Sequence, residues 1–412
     1  MIWSRKSKNL TNPKISASFG SMIPRLVEKV VWERISSGNK IVVILGARQV
    51  GKTTLLKSLQ QKLKENEVLY LNCDIEEERT AANTTSLTAL QKLVGKVNYL
   101  FVDEVQRLDN SGLTLKIIYD NFEDLKVVAT GSSGFDLKNR LSDALTGRFI
   151  DFVLYPLSFA EALSTLALSQ NKVLRKNQAD GLLEEVLLYG LYPEVYLTSR
   201  REDKVSLLER IVRSYLFKDI LTFQKVRYSQ AIKDLSRALA YQIGAEVNEN
   251  ELASRLKIDR KTVVNYLDLL EQSFVIIRLF PYSKNPRREI GKKYKVYFTD
   301  LGIRNMLVGD FNPMRVRDDL GALWENFLII ERIKSFASRG ELRHYYFWRT
   351  YSGAEIDYLE KPLTEEGLRA YEIKYSQDTL SKGAGVFSRD YHVPVGVVNK
   401  ESYLDFINGG TL

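Results

Sequence analysis

Apolar residues recur at two different spacings along the chain, and the spacing divides it into segments. Residues 1–22 are polar and are predicted to form a flexible arm. Residues 23–36 carry apolar side chains at helical spacing and lead into short apolar runs that predict strands. The run at 99–102 is apolar throughout and ends in acidic residues, which favours a buried strand of a parallel sheet. The strands predicted in this part of the chain are Ile41–Leu45, Val68–Asn72, 99–102 and 125–130.

Helical spacing dominates the middle of the chain. Residues 156–228 are predicted to form a helical lid and connector. Residues 229–315 are predicted to form a winged helix, because three helices are followed by two strands that a basic loop joins. Asp259 begins the third of these helices as its capping residue. The predicted elements are 232–243, 248–256, 259–270, 274–280 and 295–298.

The last segment, residues 316–412, combines one helix with short strands. Its amphipathic helix is predicted at 323–333, and the strands follow it. The predicted fold class is therefore α/β at both ends of the chain, residues 23–155 and 316–412, with a helical and winged middle. The strands predicted in the last segment are 344–349, 353–359 and 369–375.

Composition narrows the kinds of site that the chain can hold. The chain has 412 residues, a formal charge of +9 and a pI near 9.2. This charge permits an anionic partner such as nucleic acid, although a basic surface can also serve solubility alone. A single cysteine, Cys73, excludes an intramolecular disulfide and a multi-thiolate metal site. Two histidines, His344 and His392, are too few for a typical zinc site or a histidine-based nuclease centre, which leaves carboxylates as metal ligands.

The chain carries no pattern typical of membrane insertion or export. No segment approaches 18 uninterrupted apolar residues, and residues 1–6 carry charge without an apolar run behind them. The single cysteine suits a reducing compartment. We therefore expect a cytoplasmic protein with no membrane partner.

The first candidate site is a glycine-rich turn between a predicted strand and a predicted helix. Residues 46–53 read GARQVGKT, which is the G-x-x-x-x-G-K-[ST] pattern of a phosphate-binding P-loop. Gly46 and Gly51 let the backbone turn so that its N–H groups face a phosphate, and the next helix adds its positive end. Lys52 is expected to reach the β- and γ-phosphates, and the Thr53 hydroxyl to hold Mg²⁺. The strand-loop-helix setting disfavours a chance glycine turn, so ATP or GTP binding is predicted.

Two carboxylates follow the third predicted strand. Asp103 is expected to hold Mg²⁺ and Glu104 to polarise the attacking water, although an acidic surface turn is the alternative. Thr130 or Ser132, at the end of the next strand, can contact the γ-phosphate or the water. Arg148 is a candidate catalytic arginine finger, in cis or from a neighbouring subunit, or else a surface arginine. The residues expected to contact the nucleotide are Gly46, Arg48, Gln49, Val50, Gly51, Lys52, Thr53, Thr54, Asp103 and Ser132.

The predicted winged helix carries basic groups suited to a DNA backbone. Arg260, Lys261 and Asn265 are expected to be exposed on its third helix, beside a loop of net charge +6 between residues 278 and 295. We predict duplex or branched DNA as the partner, with a mere packing module as the alternative. The basic residues of that loop are Arg278, Lys284, Arg287, Arg288, Lys292, Lys293 and Lys295.

The C-terminal segment holds a second candidate site. Glu372 and Lys374 are two positions apart on a predicted strand, so they point to the same face. Asp357 on the preceding strand can meet them, and Glu325 lies on the predicted helix. This order of helix Glu, strand Asp and strand Glu-x-Lys is similar to the PD-(D/E)xK nucleases, although Ile356 stands where a proline is expected.

This arrangement implies phosphodiester cleavage with one or two Mg²⁺ ions. Asp357 and Glu372 are the expected metal ligands, Lys374 would orient or activate the attacking water, and Glu325 would support the metal shell. Glu-x-Lys by itself is a weak signal. The same side chains could therefore serve only as a DNA clamp.

Several motifs together resemble the AAA-type ATPases of prokaryotes that carry a C-terminal domain of unknown function, DUF4143. The resemblance covers nearly the whole chain, although Gly190 stands where a pair of glycines is expected. It implies a preference for ATP over GTP, hydrolysis of ATP and assembly into homo-oligomers, and it implies no particular substrate. The motifs are GARQVGKT at 46–53, VDEVQ at 102–106, TGSS at 130–133, GRF at 147–149, YPLSF at 155–159, YGLYPE at 189–194 and WENF at 324–327.

Two hypotheses about function follow from these motifs. In the first, the chain is an ATP-driven enzyme of DNA processing or defence, and its C-terminal segment cuts DNA with Mg²⁺. In the second, it is an ATP-switched regulator that binds DNA or protein and carries an inactive nuclease-like domain. The presence of all four nuclease-like residues favours the first hypothesis. A peptide- or toxin-handling role also stays open.

Overall fold

The computed structural model describes residues 22–132, 143–214, 229–283, 293–363 and 367–410. Residues 1–21 of the predicted arm lie outside the described residues. The same holds for Lys284, Arg287, Arg288 and Lys292 of the predicted basic loop.

A sheet of five parallel strands forms in the described part of the N-terminal segment, namely β1 (Ile41–Leu45), β2 (Val68–Asn72), β3 (Tyr99–Asp103), β4 (Lys126–Gly131) and β5 (Phe149–Val153). The strand order is β2-β3-β4-β1-β5. Every residue of β1 is buried, as expected for a strand that is covered on both faces. Because the strands are parallel, the carboxyl ends of β1, β3 and β4 meet at one edge of the sheet. The predicted parallel sheet is confirmed, with β5 as a strand that the sequence pattern did not indicate.

Helices cover both faces of this sheet. Val42 and Ile44 point to one face and pack in the same core as helices α1 and α2, whereas Val43 points to the other face, which α3, α4 and α5 cover. The helices are α1 (Val27–Ser37), α2 (Lys52–Gln60), α3 (Glu76–Ala82), α4 (Leu87–Val94) and α5 (Ser111–Asn121).

The middle of the chain is helical, as its spacing predicts. Asp259 caps the helix that follows it, because its Oδ1 accepts a hydrogen bond from the backbone N–H of Thr262 at 2.8 Å. The described helices are α6 (Phe159–Ser164), α7 (Lys172–Tyr189), α8 (Pro193–Leu197), α9 (Arg201–Ile211), α10 (Ser229–Tyr241), α11 (Glu249–Leu256), α12 (Arg260–Gln272) and α13 (Leu301–Val308).

A second, mixed sheet joins the middle of the chain to its C-terminal segment. Its six described strands are β6 (Ile276–Pro281), β7 (Lys295–Phe298), β8 (Arg343–Arg349), β9 (Glu355–Pro362), β10 (Arg369–Ile373) and β11 (Val395–Val398). Their order is β11-β10-β9-β8-β6-β7. Phe280 and Pro281 of β6 pair in parallel with Tyr346 and Phe347 of β8. The segments 229–315 and 316–412 therefore share one sheet.

Three helices accompany the C-terminal strands, namely α14 (Leu320–Ser338), α15 (Lys382–Tyr391) and α16 (Tyr403–Ile407). Along the chain, α14 comes before β8, β9 and β10, and α15 and β11 come between β10 and α16. α14 is mostly buried, with residues such as Trp324, Phe327 and Ile330 inside the main core. In the part of the chain that the structure describes, no helix is both long enough and apolar enough to cross a membrane.

Candidate functional site

The glycine-rich turn follows β1 and needs both of its glycines. A Cβ on Gly46 would lie 2.2 Å from the carbonyl oxygen of Leu154, which no side chain can tolerate. Gly51 has a φ of +99°, a left-handed conformation that favours glycine. Gln49 also has a positive φ, +63°, and its side chain is exposed. The turn is therefore a strained backbone loop of the kind that binds phosphate.

Lys52 begins α2 and folds back over this loop. Its Nζ donates hydrogen bonds to the carbonyl oxygens of Gly46 at 3.0 Å and Ala47 at 2.9 Å. Burial lowers the pKa of Lys52, against the opposing charges of Glu104 and Asp103. A bound polyphosphate would offer this ammonium stronger acceptors than the loop carbonyls do.

Asp103 lies at the end of β3 and accepts several hydrogen bonds. Its Oδ2 accepts from the hydroxyls of Thr53 at 2.6 Å and Tyr70 at 2.9 Å, and its Oδ1 accepts from the hydroxyl of Thr130. Burial and the neighbouring Asp103 raise the pKa of Tyr70 above its ordinary value, so its phenol stays a donor. Sequence reasoning missed Tyr70, because it sits in a strand that carries no motif.

Thr53 and Asp103 fit a magnesium ion. Mg²⁺ binds oxygen ligands at about 2.0–2.1 Å, so neighbouring ligands lie roughly 3 Å apart. The Thr53 Oγ1 and Asp103 Oδ2 atoms, 2.6 Å apart, are close to that spacing. Both predicted ligands therefore meet at one place, beside the loop.

Glu104 follows Asp103 with its backbone in the left-handed region, at a φ of +55°. Its N–H donates to the Thr130 hydroxyl at 3.1 Å. The Gln106 Nε2 donates to the Glu104 carboxylate and also to the Ser132 hydroxyl at 2.9 Å. The predicted base and the predicted sensor are thus joined through Gln106. Sequence reasoning missed Gln106 as a functional residue, although it lies two positions after Glu104.

The other predicted contacts lie where the loop places them. Val50 is buried, Arg48 is half-buried and Thr54 is exposed on the first turn of α2. Arg48 is near enough to Lys52 for its charge to oppose the charge of that lysine.

Arg25 forms hydrogen bonds that stabilise the P-loop, and sequence reasoning missed this residue. Its Nη1 donates to the carbonyl oxygen of Val50 at 2.6 Å, and its Nη2 donates to the carbonyl oxygen of Tyr155 at 2.7 Å. Its Nε donates to the carboxylate of Glu161, which is nearly fully buried, at 3.2 Å. Arg25 precedes α1 and carries no motif, so no sequence signal could have found it.

The contacts continue from Glu161 to the C-terminal segment. Glu161 and Ser158 cap α6 reciprocally, and the next N–H, of Phe159, donates to the buried Glu331 carboxylate at 2.6 Å. Lys334, one turn along α14, donates to Glu331 at 2.8 Å and to the Leu157 carbonyl oxygen at 3.1 Å. Hydrogen bonds thus connect the P-loop to α14.

Arg148 lies away from this site. It directly precedes β5, whose first residue, Phe149, pairs with Ile41, so it is at the amino ends of the strands. The P-loop is at their carboxyl ends, five residues or about 16 Å away. Arg148 instead donates to Asp120 at 2.9 Å. In this structure Arg148 therefore does not reach the P-loop of its own chain. Its role as a catalytic arginine stays a prediction, beside the alternative of a surface arginine paired with Asp120.

The C-terminal candidate residues come together at one end of the second sheet. The Lys374 Nζ lies 3.5 Å from the Glu372 carboxylate. Burial raises the pKa of Asp357 to about 7, and the charge of Glu325 adds to the rise against opposing contributions from the Ile373 N–H, Lys295 and Lys374. Glu325 and Lys374 are thus close enough to Asp357 to act on its charge.

Each of these carboxylates already has protein partners. Glu372 accepts from the Ser381 N–H at 2.9 Å and from the Ser381 hydroxyl, and it is only 1% exposed. The Asp357 Oδ2 accepts from the Ile373 N–H at 2.7 Å. Glu372 therefore joins β10 to the start of α15.

Lys295 and Glu355 complete this group, and sequence reasoning missed both roles. The Lys295 Nζ lies 2.6 Å from Glu355 Oε1 and 3.2 Å from Glu325 Oε1. Glu325 also accepts a hydrogen bond from the Tyr297 hydroxyl at 2.5 Å. We call Glu325, Glu355, Asp357 and Lys295 the carboxylate cluster. Glu355 could have been found, because it shares a strand face with Asp357, two positions away.

The cluster does not fit a divalent metal ion as the nuclease resemblance implies. Across the described ranges, no group of three acidic, histidine or cysteine side chains is placed to hold a metal. The predicted Mg²⁺ ligands Glu325, Asp357 and Glu372 instead bond to protein groups. The positive charge comes from the Lys295 ammonium.

The predicted DNA-reading residues are exposed on α12. Arg260 is held by Glu249 of α11, with Nη2 2.7 Å from the carboxylate. Arg278 is half-buried and bonds Glu271 and Asp268. Lys261 and Asn265 remain the exposed polar groups of the helix face that we predict to contact DNA.

Three stretches of the chain match known family models. Residues 38–163 match the model described as an AAA domain. This stretch is therefore similar to AAA domains. Residues 180–313 match a domain of unknown function, DUF8612, and residues 320–404 match another, DUF4143. The predicted DUF4143-like C-terminal domain is thereby confirmed, and the P-loop, Asp103 and Glu104 all lie inside the stretch that matches the AAA domain.

Relatives align with 65–78% of this chain. An uncharacterized protein of Haemophilus influenzae is 27% identical over 283 residues, which are 65% of this chain and 69% of the relative. An uncharacterized protein of Mycobacterium tuberculosis is 25% identical over 324 residues, 78% of this chain and 67% of the relative. One of Methanocaldococcus jannaschii is 25% identical over 332 residues, 78% of this chain and 72% of the relative.

Two solved structures that are similar to this chain have TM-scores under 0.5. A Walker-type ATPase of Pyrococcus abyssi is 17% identical, with a TM-score of 0.43 over 72% of this chain and 98% of that chain. DnaA of Aquifex aeolicus bound to AMPPCP is 17% identical, with a TM-score of 0.27 over 59% of this chain and 86% of that chain. The assignment of the AAA domain therefore depends on the family model and on the geometry of its site.

Proposed function

We propose that this chain hydrolyses ATP with Mg²⁺ and uses the hydrolysis cycle to act on DNA. The observation that carries the proposal is the meeting of three side chains at one edge of the first sheet. Thr53 and Asp103 present their oxygens 2.6 Å apart, and Glu104 follows on the same strand end, tied to Ser132 through Gln106.

Different residues of the chain would bind the phosphates, accept the proton and orient the water during hydrolysis. Magnesium, when bound, would neutralise phosphate charge and align the terminal phosphate. The loop N–H groups and the Lys52 ammonium would hold the β- and γ-phosphates. Glu104 would accept the proton of the attacking water, and Ser132 would orient that water or the γ-phosphate. We expect ATP to be preferred to GTP.

Two variants test the ATPase proposal. We expect Lys52→Ala to lose nucleotide binding, because the main cation at the phosphates is gone. Glu104→Gln should bind ATP but hydrolyse it about 100-fold more slowly or worse, since general-base catalysis contributes roughly 10²–10⁴-fold. Phosphate release and nucleotide binding are measured with each, and Glu76→Gln, an exposed glutamate of α3, is the control. A wild-type rate in Glu104→Gln would contradict the assignment of the base.

Contact with DNA is proposed for α12. Lys261 and Asn265 are exposed on this helix, and the chain carries a net charge of +9. An exposed helix with basic and amide side chains suits a DNA groove. The double variant Lys261→Ala/Asn265→Ala should weaken duplex binding in fluorescence anisotropy and flatten its salt dependence. Arg255→Ala, on neighbouring α11, is the control, and equal affinities of the two variants would contradict α12 as the contact.

Cleavage of DNA by the C-terminal segment is a second candidate function. The observation that favours it is the proximity of Lys374 to Glu372, whose atoms lie 3.5 Å apart. Asp357 is also near enough to Lys374 for the charge of the lysine to lower its pKa. Supercoiled, linear, single-stranded and four-way-junction DNA are incubated with Mg²⁺ or Mn²⁺, with and without ATP. Cleavage by wild type but not by Asp357→Asn would support it. If DNA is bound and ATP hydrolysed while no substrate is cut, the alternative of an ATP-switched regulator holds.

We also propose that the chain assembles into homo-oligomers in which Arg148 acts on the nucleotide of a neighbouring subunit. The Arg148 side chain is partly exposed beside Asp120, which leaves it accessible to a neighbouring subunit. Mixing Arg148→Ala with Lys52→Ala subunits should restore part of the ATPase rate, since each variant keeps what the other lacks. No recovery in the mixture would contradict action in trans.

A further inference from the structure

Lys295 is the centre of the carboxylate cluster, and it comes from a different part of the chain than the carboxylates. It begins β7, whereas Glu325 lies on α14 and Glu355 and Asp357 lie on β9. The lysine is only 3% exposed, and it lies within 3.2 Å of two of the carboxylates. A buried charge of this kind is retained only when partners compensate for its lost hydration.

The partners of Lys295 compensate for its burial by geometry. Its Nζ forms ion pairs with Glu355 at 2.6 Å and with Glu325 at 3.2 Å, and both carboxylates are themselves mostly buried. The cluster has its positive charge without a metal ion.

A divalent ion and this ammonium compete for the same oxygens. Mg²⁺ and Mn²⁺ need several carboxylate, carbonyl or water oxygens around them, with the carboxylates turned inward. Glu325 and Glu355 are turned toward Lys295, and Glu325 is further fixed by Tyr297. A second cation within about 4 Å of the ammonium would also be repelled by it, strongly in a poorly solvated site.

The backbone keeps Lys295 in place. Lys295 pairs with Leu279 of β6 and forms a bridge with Glu246, so β7 is held on both sides. β6 is in turn paired with β8 of the C-terminal sheet. The backbone of Lys295 therefore stays beside the carboxylates unless the β6–β7 pair shifts, and the two ion pairs hold the ammonium itself.

We propose that Lys295 is the resident cation of the carboxylate cluster and that it keeps divalent metal ions out of the C-terminal domain. The proposal restricts the second candidate function, because metal-dependent cleavage would require Lys295 to withdraw first. It is independent of ATP hydrolysis and of DNA binding by α12.

Binding of Mn²⁺ to nucleotide-free protein tests this proposal. Electron paramagnetic resonance counts free Mn²⁺ during titration of wild type, Lys295→Met and Lys293→Met, where Lys293 is an exposed lysine two residues earlier. We expect no stoichiometric Mn²⁺ site that depends on Asp357 in wild type or Lys293→Met. Lys295→Met should gain one Mn²⁺ per chain, at least tenfold tighter than any binding to wild type, and Mn²⁺ should raise its unfolding temperature. Adding Asp357→Asn should abolish the gain.

Two results would overturn the proposal. The first is a stoichiometric Mn²⁺ site in wild type that Asp357→Asn removes. This comparison of wild type with Asp357→Asn tests the proposal even if Lys295→Met fails to fold. The second is a folded Lys295→Met that binds no Mn²⁺. The ATPase rate of each preparation is measured alongside, so a failure of the proposed ATPase function is seen separately from a failure of this inference.

Discussion

Gln106 shows how one side chain can set the position of a catalytic base. Its Nε2 holds both the Glu104 carboxylate and the Ser132 hydroxyl, while its Oε1 is buried and has no hydrogen-bond partner among the described residues. A buried acceptor without a partner is costly unless a ligand or water completes it. We infer that Gln106 positions Glu104 and that its free oxygen is available to a bound ligand or water.

Removal of Gln106 should therefore affect the chemical step more than binding. We expect Gln106→Ala to lower kcat roughly tenfold or more, since a misplaced base loses part of a contribution worth about 10²–10⁴-fold. Nucleotide affinity should stay within about twofold, because the described hydrogen bonds of Gln106 go to Glu104 and Ser132 rather than to the P-loop. Steady-state kinetics and nucleotide titration measure the two separately. Arg107→Ala, the exposed neighbour that pairs with Asp74, is the control, and a similar kcat in both variants would contradict the role.

Cys73 provides a pH-dependent prediction. Burial, with the neighbouring Asp103, raises the pKa of the Cys73 thiol to about 12. The pKa of a free cysteine thiol is about 8.5. Between these values the folded state holds the proton that the unfolded state has lost. The contribution of this group to the free energy of unfolding therefore falls as pH rises above about 8.5.

The same shift makes the native thiol slow to react. At pH 9 we expect a disulfide reagent to label the native protein at least about 100-fold more slowly than the urea-unfolded chain, because the thiolate is scarce and the side chain is fully buried. The release of the chromophore from the reagent gives the rate. Equal rates in the native and unfolded states would show that the thiol is open to solvent.

At the scale of elements, local patterns were a good guide to helices and strands. The predicted helix at 259–270 is observed as Arg260–Gln272, because a capping aspartate and the 3.6-residue period both depend on nearby residues only. The P-loop and Asp103 were found for the same reason. Arg25 was not, because its bonds to Val50 and Tyr155 join residues 25 and 130 positions away.

Arg25 ties α1, α6 and the P-loop together, so its loss should destabilise the AAA domain. Arg25→Met leaves the Glu161 carboxylate buried without its cation, and breaking such a pair costs about 3–5 kcal/mol. Urea unfolding followed by circular dichroism measures the loss. Lys29→Met, an exposed site one turn along α1, is the control, and a loss in Arg25→Met of under about 1 kcal/mol relative to it would contradict this role.

At the scale of the whole molecule, the shared sheet could not have been predicted from the sequence. The sequence pattern indicated β6, β7 and β8 separately, but the parallel pairing of β6 with β8 joins residues 66 positions apart, such as Phe280 and Tyr346. The pairing of Lys295 with Glu325 and Glu355 depends on the same long-range contact. A linear pattern specifies which residues are buried, and it does not specify which distant strand lies beside them.

The C-terminal segment should accordingly be unable to fold alone. Residues 316–412 would lack β6 and β7, which leaves β8 as an open edge and removes Lys295 from its carboxylates. We expect this fragment to aggregate, whereas residues 157–412, which keep the whole sheet and its contacts with α6, should stay folded. Size-exclusion chromatography and circular dichroism of the two fragments measure this. A monomeric, cooperatively unfolding 316–412 fragment would contradict it.

The shared sheet also has a consequence for the inheritance of this architecture. The matched families end at residue 313 and begin again at residue 320, yet strands on both sides of that boundary hydrogen-bond to each other. A recombination event that exchanged one side alone would bring together strand edges and buried charges that had never been selected as a pair. We therefore expect the two segments to have descended together, and changes at Lys295 in one lineage to be accompanied by changes at Glu325 or Glu355.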